Sequence, residues 1–170
     1  MYSRKLENLN VLIFIHGGGF VIGSGADDYI IPMKLVAKNQ ILVSINYRLG
    51  IFGFLAAPEL VKEDPFAENF GLLDQRAAIS WVIENIKYFH GNPNGITLFG
   101  QSAGAISTFF HLAANEAHLS PKDAIGDNVD KYMILSAPDI EYMKCDETGF
   151  ILPYLATTLG CPLTVCILFF

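Results

Sequence analysis

A serine, Ser102, lies at the centre of the segment FGQSAGA, which leads into a second apolar segment, AISTFF. Glycines stand two residues before it and two residues after it, at Gly100 and Gly104. If the backbone turns sharply there to lift the hydroxyl above a sheet edge, a side chain at either glycine would collide with the neighbouring strand or helix. The pattern therefore indicates a strand, turn and helix that present a serine nucleophile for acyl transfer.

The helix that follows Ser102 would also favour negative charge beside the serine. Its first backbone N–H groups have no partner within the helix, and its dipole is positive at this end. Both stabilise the oxyanion that forms when a hydroxyl attacks an acyl group, and the N–H of Ala103 is the first expected donor. The alternative is that Ser102 merely caps the helix, a common role of serine. The segment by itself leaves the two roles open.

A second glycine-rich segment, HGGGF at residues 16–20, follows five consecutive apolar residues. Glycine lets bare backbone approach a developing negative charge, so Gly18 and Gly19 are expected to supply further oxyanion donors. A phosphate-binding loop is the alternative. No Lys-Ser or Lys-Thr pair follows, however, and the glycine spacing fits neither a P-loop nor a dinucleotide-binding fingerprint.

A serine hydroxyl becomes a good nucleophile only beside a base, normally a histidine oriented by a carboxylate. His111 follows the serine on the same expected helix at a rise of roughly 13 Å, so it cannot be that base. His118 is farther along the chain. Both are expected to be surface or helix-cap residues. His16 adjoins the glycine loop and is expected to hold its shape rather than to move protons.

Four apolar runs predict the strands that position these loops. They are VLIFI before the glycine loop, QILVSINYR, GITLFGQS and KYMILSAP. An amphipathic helix is predicted between the second and third runs, over LLDQRAAISWVIENIKYF. Its buried face is expected to carry Leu73, Ala77, Ile79 or Ser80, Trp81, Ile83, Ile86 and Phe89, and its outer face Asp74, Arg76, Glu84 and Lys87. Buried strands alternating with helices predict an α/β domain with a parallel sheet and reactive loops at the strands' carboxyl ends.

Composition narrows the classes of function. The chain has 170 residues, 52% hydrophobic and 16% charged, which fits one globular domain. Its net charge is −6 and its basic residues are scattered, so nucleic-acid binding is not expected. The apolar ending LGCPLTVCILFF is too short for a membrane span, and the polar opening lacks the apolar central region of a signal peptide, so neither feature is expected in this sequence. Three cysteines, Cys145, Cys161 and Cys166, lack metal-type spacing and leave the disulfide state and the compartment open.

Three long motifs, taken together, closely resemble the type B carboxylesterase and cholinesterase family. They are VLIFIHGGGF, NYRLGIFGFL and NFGLLDQRAAISWVIENIKYFHGNPNGITLFGQSAGA, in the family's order over residues 10 to about 140. The resemblance implies an α/β class and a partial α/β-hydrolase domain over residues 1–170, a mostly parallel sheet with flanking helices. N- and C-terminal strands would be missing, and residues 163–170 would form a divergent tail.

The resemblance also implies how such a chain would act. Ser102 would be the nucleophile, and Gly18, Gly19 and Ala103 would form the oxyanion hole. Small carboxylic esters would be hydrolysed through an acyl-serine, with no cofactor and no metal. Family members are often secreted. Gln101 stands where many members have glutamate, a form similar to that of some insect juvenile hormone esterases, and a neutral side chain there makes a choline substrate less expected.

The family places its acid and its catalytic histidine downstream of the position that corresponds to Phe170. We therefore expect a fragment or a mis-terminated chain that carries the nucleophile and the oxyanion hole but lacks the acid and the histidine of the triad. Two alternatives remain open: a catalytically silent relative that acts in binding or adhesion, and a non-functional truncated product. The oligomeric state is also open.

Several other residues of the family-like motifs receive structural roles. Arg48 and Asp74 are expected to form a structural ion pair, because buried charges need partners. Tyr47, Phe52 and Phe54 are expected either to belong to the core or to line an acyl pocket.

Overall fold

The computed structural model describes residues 7–27, 39–55, 57–63, 69–116 and 129–135. Within these ranges the strands are β1 (Leu9–Ile15), β2 (Gln40–Ile45), β3 (Gly91–Gln101) and β4 (Val129–Leu135). The helices are α1 (Gly50–Phe54), α2 (Pro58–Glu63), α3 (Phe70–Asn85) and α4 (Ala103–Glu116). A 3₁₀ turn over Ile86–Phe89 continues α3.

The four strands form one sheet in the order β2-β1-β3-β4, and every neighbouring pair is parallel. All four predicted strands and the parallel α/β class are therefore confirmed. Because the strands run the same way, their carboxyl ends meet at one edge of the sheet. The glycine loop after β1 and the serine turn after β3 lie at that edge, since β1 and β3 are direct neighbours.

The core lies between the central strands and the two long helices. Val11 pairs with Ile96 and Ile13 with Leu98 across β1 and β3, and all four side chains are fully buried. Alternate residues of a strand share one face, so the next pair in this row, Ile15 and Gly100, extends it towards the reactive edge. Both long helices contribute buried side chains to the same cluster, among them Ile79, Val82, Ile106 and Phe110.

Helix α3 was predicted at the right place, but its buried face is rotated from the expected one. The buried stripe is Leu72, Gln75, Ile79, Val82 and, in the 3₁₀ turn, Ile86. Trp81 is 54% exposed and Phe89 57% exposed, and their rings contact each other at 6.3 Å. The prediction failed for Trp81 and Phe89 because it placed these large aromatic side chains on the inner face. The true stripe instead includes one polar residue, Gln75, for which the core supplies hydrogen-bond partners.

Tyr47, Phe52 and Phe54 were expected either to belong to the core or to line an acyl pocket, and the structure places them differently. Tyr47 and Phe54 are buried, and the Phe54 ring packs edge-on against Phe20 at 5.0 Å. Phe52 is 76% exposed. The core interpretation therefore holds for Tyr47 and Phe54, whereas Phe52 is outside the core.

Arg48 and Asp74 form the expected ion pair, between the segment after β2 and α3. The Arg48 guanidinium donates to both carboxylate oxygens, at 2.7 and 2.8 Å, and the Arg48 backbone N–H donates to one of them at 3.0 Å. The side chains are 50% and 28% exposed, so the expectation of a buried pair was wrong. The hydrogen bond from the Arg48 side chain is the main cause that holds the pKa of Asp74 below its ordinary value of 3.8; burial opposes it, and the Arg48 backbone hydrogen bond and charge add to it.

The Asp74→Asn chain is expected to melt only a few degrees below the wild-type chain, because a solvent-exposed ion pair contributes little. The lowered pKa means that the pair's contribution is present above pH 3.8 and is lost as the carboxylate is protonated at lower pH. Thermal melts at neutral pH, with and without ~1 M NaCl, measure the effect, which salt should reduce. A large loss that salt does not change would contradict this assignment.

Candidate active site

Ser102 is the single residue between β3 and α4, and its backbone is left-handed, with a φ of 56°. A non-glycine residue in that region is strained, and such strain persists only where the surroundings impose it. The Ser102 N–H donates to the Leu135 carbonyl of β4 at 3.1 Å, and its carbonyl accepts from Ala105 and Ile106. The expected sharp turn from strand to helix is therefore present at this serine.

The helix-capping alternative finds no support in this geometry. A capping serine has an extended backbone, and its side-chain oxygen accepts a hydrogen bond from the first helical turn. Ser102 is left-handed instead, and within the described ranges no hydrogen bond uses its Oγ atom. The hydroxyl is thus available at the reactive edge of the sheet.

The two glycines that flank Ser102 are required for the reason that the sequence suggested. A Cβ atom at Gly100 would clash with the Gly104 carbonyl and would lie 2.8 Å from Thr108 Oγ1. A Cβ atom at Gly104 would clash with the Ile15 carbonyl and would lie 2.8 Å from the His16 carbonyl. The first obstruction is the helix and the second is the end of β1. The close fit of β3, α4 and β1 therefore excludes side chains at both positions.

The HGGGF loop contacts the serine turn directly, through a residue that the sequence pattern did not single out. A Cβ atom at Gly17 would lie 3.1 Å from Ser102 Cβ and 2.7 Å from the Gln101 carbonyl oxygen. Gly18 and Gly19 follow with φ values of 109° and 61°, which favour glycine. The available signal was the three consecutive glycines, of which the first serves close packing.

Three backbone N–H groups at this contact are free to donate. Among the described residues, no acceptor takes a hydrogen bond from the N–H of Gly18, Gly19 or Ala103. Ala103 begins α4, so its N–H is one of the donors that a helix leaves unpaired. The glycine loop and the first residue of α4 therefore each carry backbone N–H groups that have no acceptor among the described residues.

His16 is fully buried at the start of the glycine loop, where it was expected to hold the loop's shape. Its Nδ1 atom lies 2.7 Å from the Gly17 carbonyl oxygen, and its ring stacks on Tyr47 at 4.5 Å. The Tyr47 hydroxyl donates to the His16 carbonyl at 2.8 Å. A Cβ atom at Gly23 would lie 2.6 Å from His16 Nδ1, so the loop closes tightly over the ring. These contacts fit the expected role in positioning the loop.

The expectation that His111 is a surface or cap residue was wrong. The side chain is 5% exposed, and its Nε2 atom lies 3.0 Å from Gln75 Oε1 on α3. Burial, followed by the positive charge of Arg76, lowers the pKa of His111 from 6.5 to about 4. The physical reason for the error is that Gln75, from a helix far earlier in the chain, makes the buried position tolerable. His118 lies outside the described residues.

A base for Ser102 is not found among the three described histidines. No hydrogen bond within the described ranges joins Ser102 Oγ to His16, His90 or His111. His90 precedes β3 and so lies at the opposite end of that strand from Ser102. The described residues thus bring the Ser102 turn next to the glycine loop, and no described histidine is hydrogen-bonded to Ser102.

Comparison with known proteins decides the family. The model of the carboxylesterase family matches residues 2–149, most of the chain. The chain belongs to the carboxylesterase family. The family resemblance of the three motifs, together with the α/β-hydrolase fold that it implied, is confirmed.

Individual carboxylesterase relatives agree with this assignment. The chain is 50% identical over 115 residues to the juvenile hormone esterase of Tribolium castaneum, an alignment that covers 66% of this chain and 19% of that protein. It is 45% identical over 108 residues to the para-nitrobenzyl esterase of Bacillus subtilis, covering 63% of this chain and 22% of that protein. The chain therefore spans about a fifth of the length of the curated relatives it matches.

Solved structures of carboxylesterases match the fold. A thermophilic para-nitrobenzyl esterase superposes with a TM-score of 0.64 at 39% identity, over 75% of this chain and 25% of that one. The juvenile hormone esterase of Manduca sexta, crystallised with OTFP covalently attached, gives a TM-score of 0.65 at 37% identity. That match covers 76% of this chain and 22% of that one.

Metal binding and membrane crossing are two further features on which the described residues bear. Among these residues, no three His, Cys, Asp or Glu side chains are grouped closely enough to hold a metal ion. In the same part of the chain, no helix has both the length and the apolarity that a membrane crossing requires.

Proposed function

We propose that this chain carries the nucleophile and the oxyanion hole of a serine carboxylesterase. The Ser102 hydroxyl attacks the carbonyl carbon of a small carboxylic ester, and its proton passes to a base. The N–H groups of Gly18, Gly19 and Ala103 hold the oxyanion. When the tetrahedral intermediate collapses, the carbon–oxygen bond to the alcohol breaks, the alcohol takes up the proton, and an acyl-serine remains. Water then releases the acid by the same steps, without metal or cofactor.

One observation carries this proposal: a strained serine with a free hydroxyl adjoins a loop with unpaired N–H donors. A second observation comes from the relatives, since the two curated proteins of Tribolium castaneum and Bacillus subtilis are named as esterases. The family's histidine and acid would complete the site from outside the described residues. Even without a base, an oxyanion hole and binding alone can retain a rate advantage of about 10³ over water.

Labelling with a fluorophosphonate ester tests the proposal on the purified 170-residue chain. Attack forms a bond between Ser102 Oγ and phosphorus, breaks the phosphorus–fluorine bond and releases fluoride, while the hydroxyl proton passes to solvent or to a base. We expect mass spectrometry to find Ser102 labelled about 10³-fold faster than the other serines, because only Ser102 adjoins oxyanion donors. Ser102→Ala should abolish this label, and Ser80→Ala on α3 should leave it unchanged.

The pH dependence adds a second result to the same experiment. A labelling rate that reaches a plateau near neutral pH indicates a histidine base, whereas a rate that keeps rising with pH indicates attack by Ser102 without one. Both results support a serine nucleophile. A folded chain, verified by circular dichroism, in which label is spread evenly over the serines would contradict the proposal and favour a catalytically silent relative.

A further inference from the structure

Three polar side chains are buried between α3 and α4, away from the proposed catalytic groups. Gln75 and Ser107 are fully buried and His111 is 5% exposed. They occupy positions that apolar residues fill elsewhere on these helices. Buried polar groups are normally hydrogen-bonded, so each of these side chains is expected to have a partner.

The three side chains form one continuous relay of hydrogen bonds. Gln75 Nε2 donates to Ser107 Oγ at 3.0 Å, and Ser107 Oγ donates to the Ala103 carbonyl at 3.1 Å. Gln75 Oε1 is then the acceptor for His111, whose Nε2 carries the hydrogen at 3.0 Å. Read from donor to acceptor, the relay runs from His111 in the middle of α4, through Gln75 on α3 and Ser107, to the first residue of α4.

The relay ends at the residue that directly follows the nucleophile. Ala103 is the first residue of α4, and its N–H is a proposed oxyanion donor. The next carbonyl, of Gly104, accepts from Thr108 Oγ1 at 2.9 Å. The Thr108 bond lies within α4, however, whereas the Ser107 bond continues to α3 through Gln75. Gln75 and Ser107 therefore connect the first turn of α4 to a neighbouring helix.

This connection supports the serine turn, which has few side chains of its own and a strained backbone. Gly100 and Gly104 give it no side chains, because the close packing leaves no space for them. Ser102 is strained, and relaxation of its φ would move both its hydroxyl and the Ala103 N–H. Acyl transfer is sensitive to such shifts, since donors must meet the oxyanion within a few tenths of an ångström.

We infer that Gln75, Ser107 and His111 are positioning residues that hold the first turn of α4 against α3 and thereby align Ser102 with the oxyanion hole. This inference rests on the proposed esterase function. It adds that reactivity of the serine depends on a buried relay whose far end is the His111 imidazole, about two turns along α4. Because all three side chains are buried, their role is to position the turn rather than to bind substrate.

The variants Gln75→Met and Ser107→Ala interrupt the relay, and Thr108→Val is the matched control. Thr108→Val also removes one buried hydroxyl bonded to a carbonyl of the first turn, but it leaves α3 connected. Fluorophosphonate labelling of Ser102 is followed at increasing reagent concentration, which separates the limiting rate from the affinity. We expect a limiting rate at least about tenfold lower for both relay variants, with unchanged affinity, and a change below about twofold for Thr108→Val.

Equal limiting rates in Ser107→Ala and Thr108→Val would overturn the inference, because the loss would then be that of any buried hydroxyl. Ser107→Ala decides the question by itself if Gln75→Met does not fold. If the wild-type chain is not labelled at Ser102, the proposed function fails separately. Hydrogen exchange of the Ala103 and Gly104 amides then tests the relay: faster exchange in Ser107→Ala than in Thr108→Val supports it, and equal exchange overturns it.

Discussion

The Gly104→Ala chain is expected to unfold at a much lower urea concentration than the wild-type chain, although alanine is the better helix former. Helix propensity alone would stabilise the variant by about 1 kcal/mol. The added Cβ atom, however, would clash with the Ile15 carbonyl and lie 2.8 Å from the His16 carbonyl. These are backbone atoms and cannot rotate away, so we expect a net loss of about 3 kcal/mol. Urea unfolding followed by circular dichroism measures it.

A second glycine serves as the control for this prediction. Gly50 has a φ of 57°, and a Cβ atom there would meet no heavy atom within 4 Å. Gly50→Ala should therefore cost only the strain of a left-handed residue, about 1 kcal/mol. If Gly104→Ala were as stable as the wild type, α4 could move away from β1, and the close fit that we describe at the serine turn would be wrong.

Acidification from neutral pH to pH 4 is expected to remove roughly 3 kcal/mol of stability through His111 alone. Burial, followed by the charge of Arg76, lowers its pKa to about 4 in the folded chain, against 6.5 for an exposed histidine. Between these values the unfolded chain binds a proton that the folded chain rejects, so stability rises with pH in this window. The contribution is complete above pH 6.5, falls as the pH decreases, and reaches its minimum below pH 4.

Urea unfolding at several values between pH 4 and pH 7 measures this slope, and His111→Gln should flatten it. The variant removes the titrating group while keeping a polar side chain next to Gln75. His90→Asn is the control, because His90 is exposed and asparagine tolerates its left-handed φ of 66°. A slope that persists in His111→Gln would mean that another group causes the pH dependence. The Asp74 contribution is distinct, since it is lost only below pH 3.8.

Much of the site could be predicted from local patterns. Apolar runs that end in polar or glycine-bearing turns, alternating with a helix, predicted four parallel strands, and the spacing of Gly100 and Gly104 around Ser102 predicted a turn too crowded for side chains. Arg48 and Asp74 were paired correctly, as charged residues within apolar motifs. Each of these predictions rests on residue types that stand close together in the sequence. Such residues decide the local backbone conformation directly.

The mistakes concern side chains whose environment comes from distant parts of the chain. His111 looked like a surface residue and Trp81 like a core residue, yet the structure reverses both. Gln75 is 36 residues from His111 and 32 from Ser107, so no local pattern shows that their polar groups satisfy one another. A buried polar residue is tolerated only when its partners are placed by the fold.

The sequence by itself determined the strands, the serine turn and the glycine loop, because periodicity and the absence of side chains act on the local backbone. Only the tertiary structure decided which face of α3 is buried, that His111 is neutral in the core, and that a side chain at Gly17 would run into Ser102. Those outcomes depend on the packing of α3 and α4 on one sheet. Packing brings together atoms that the order of residues leaves far apart.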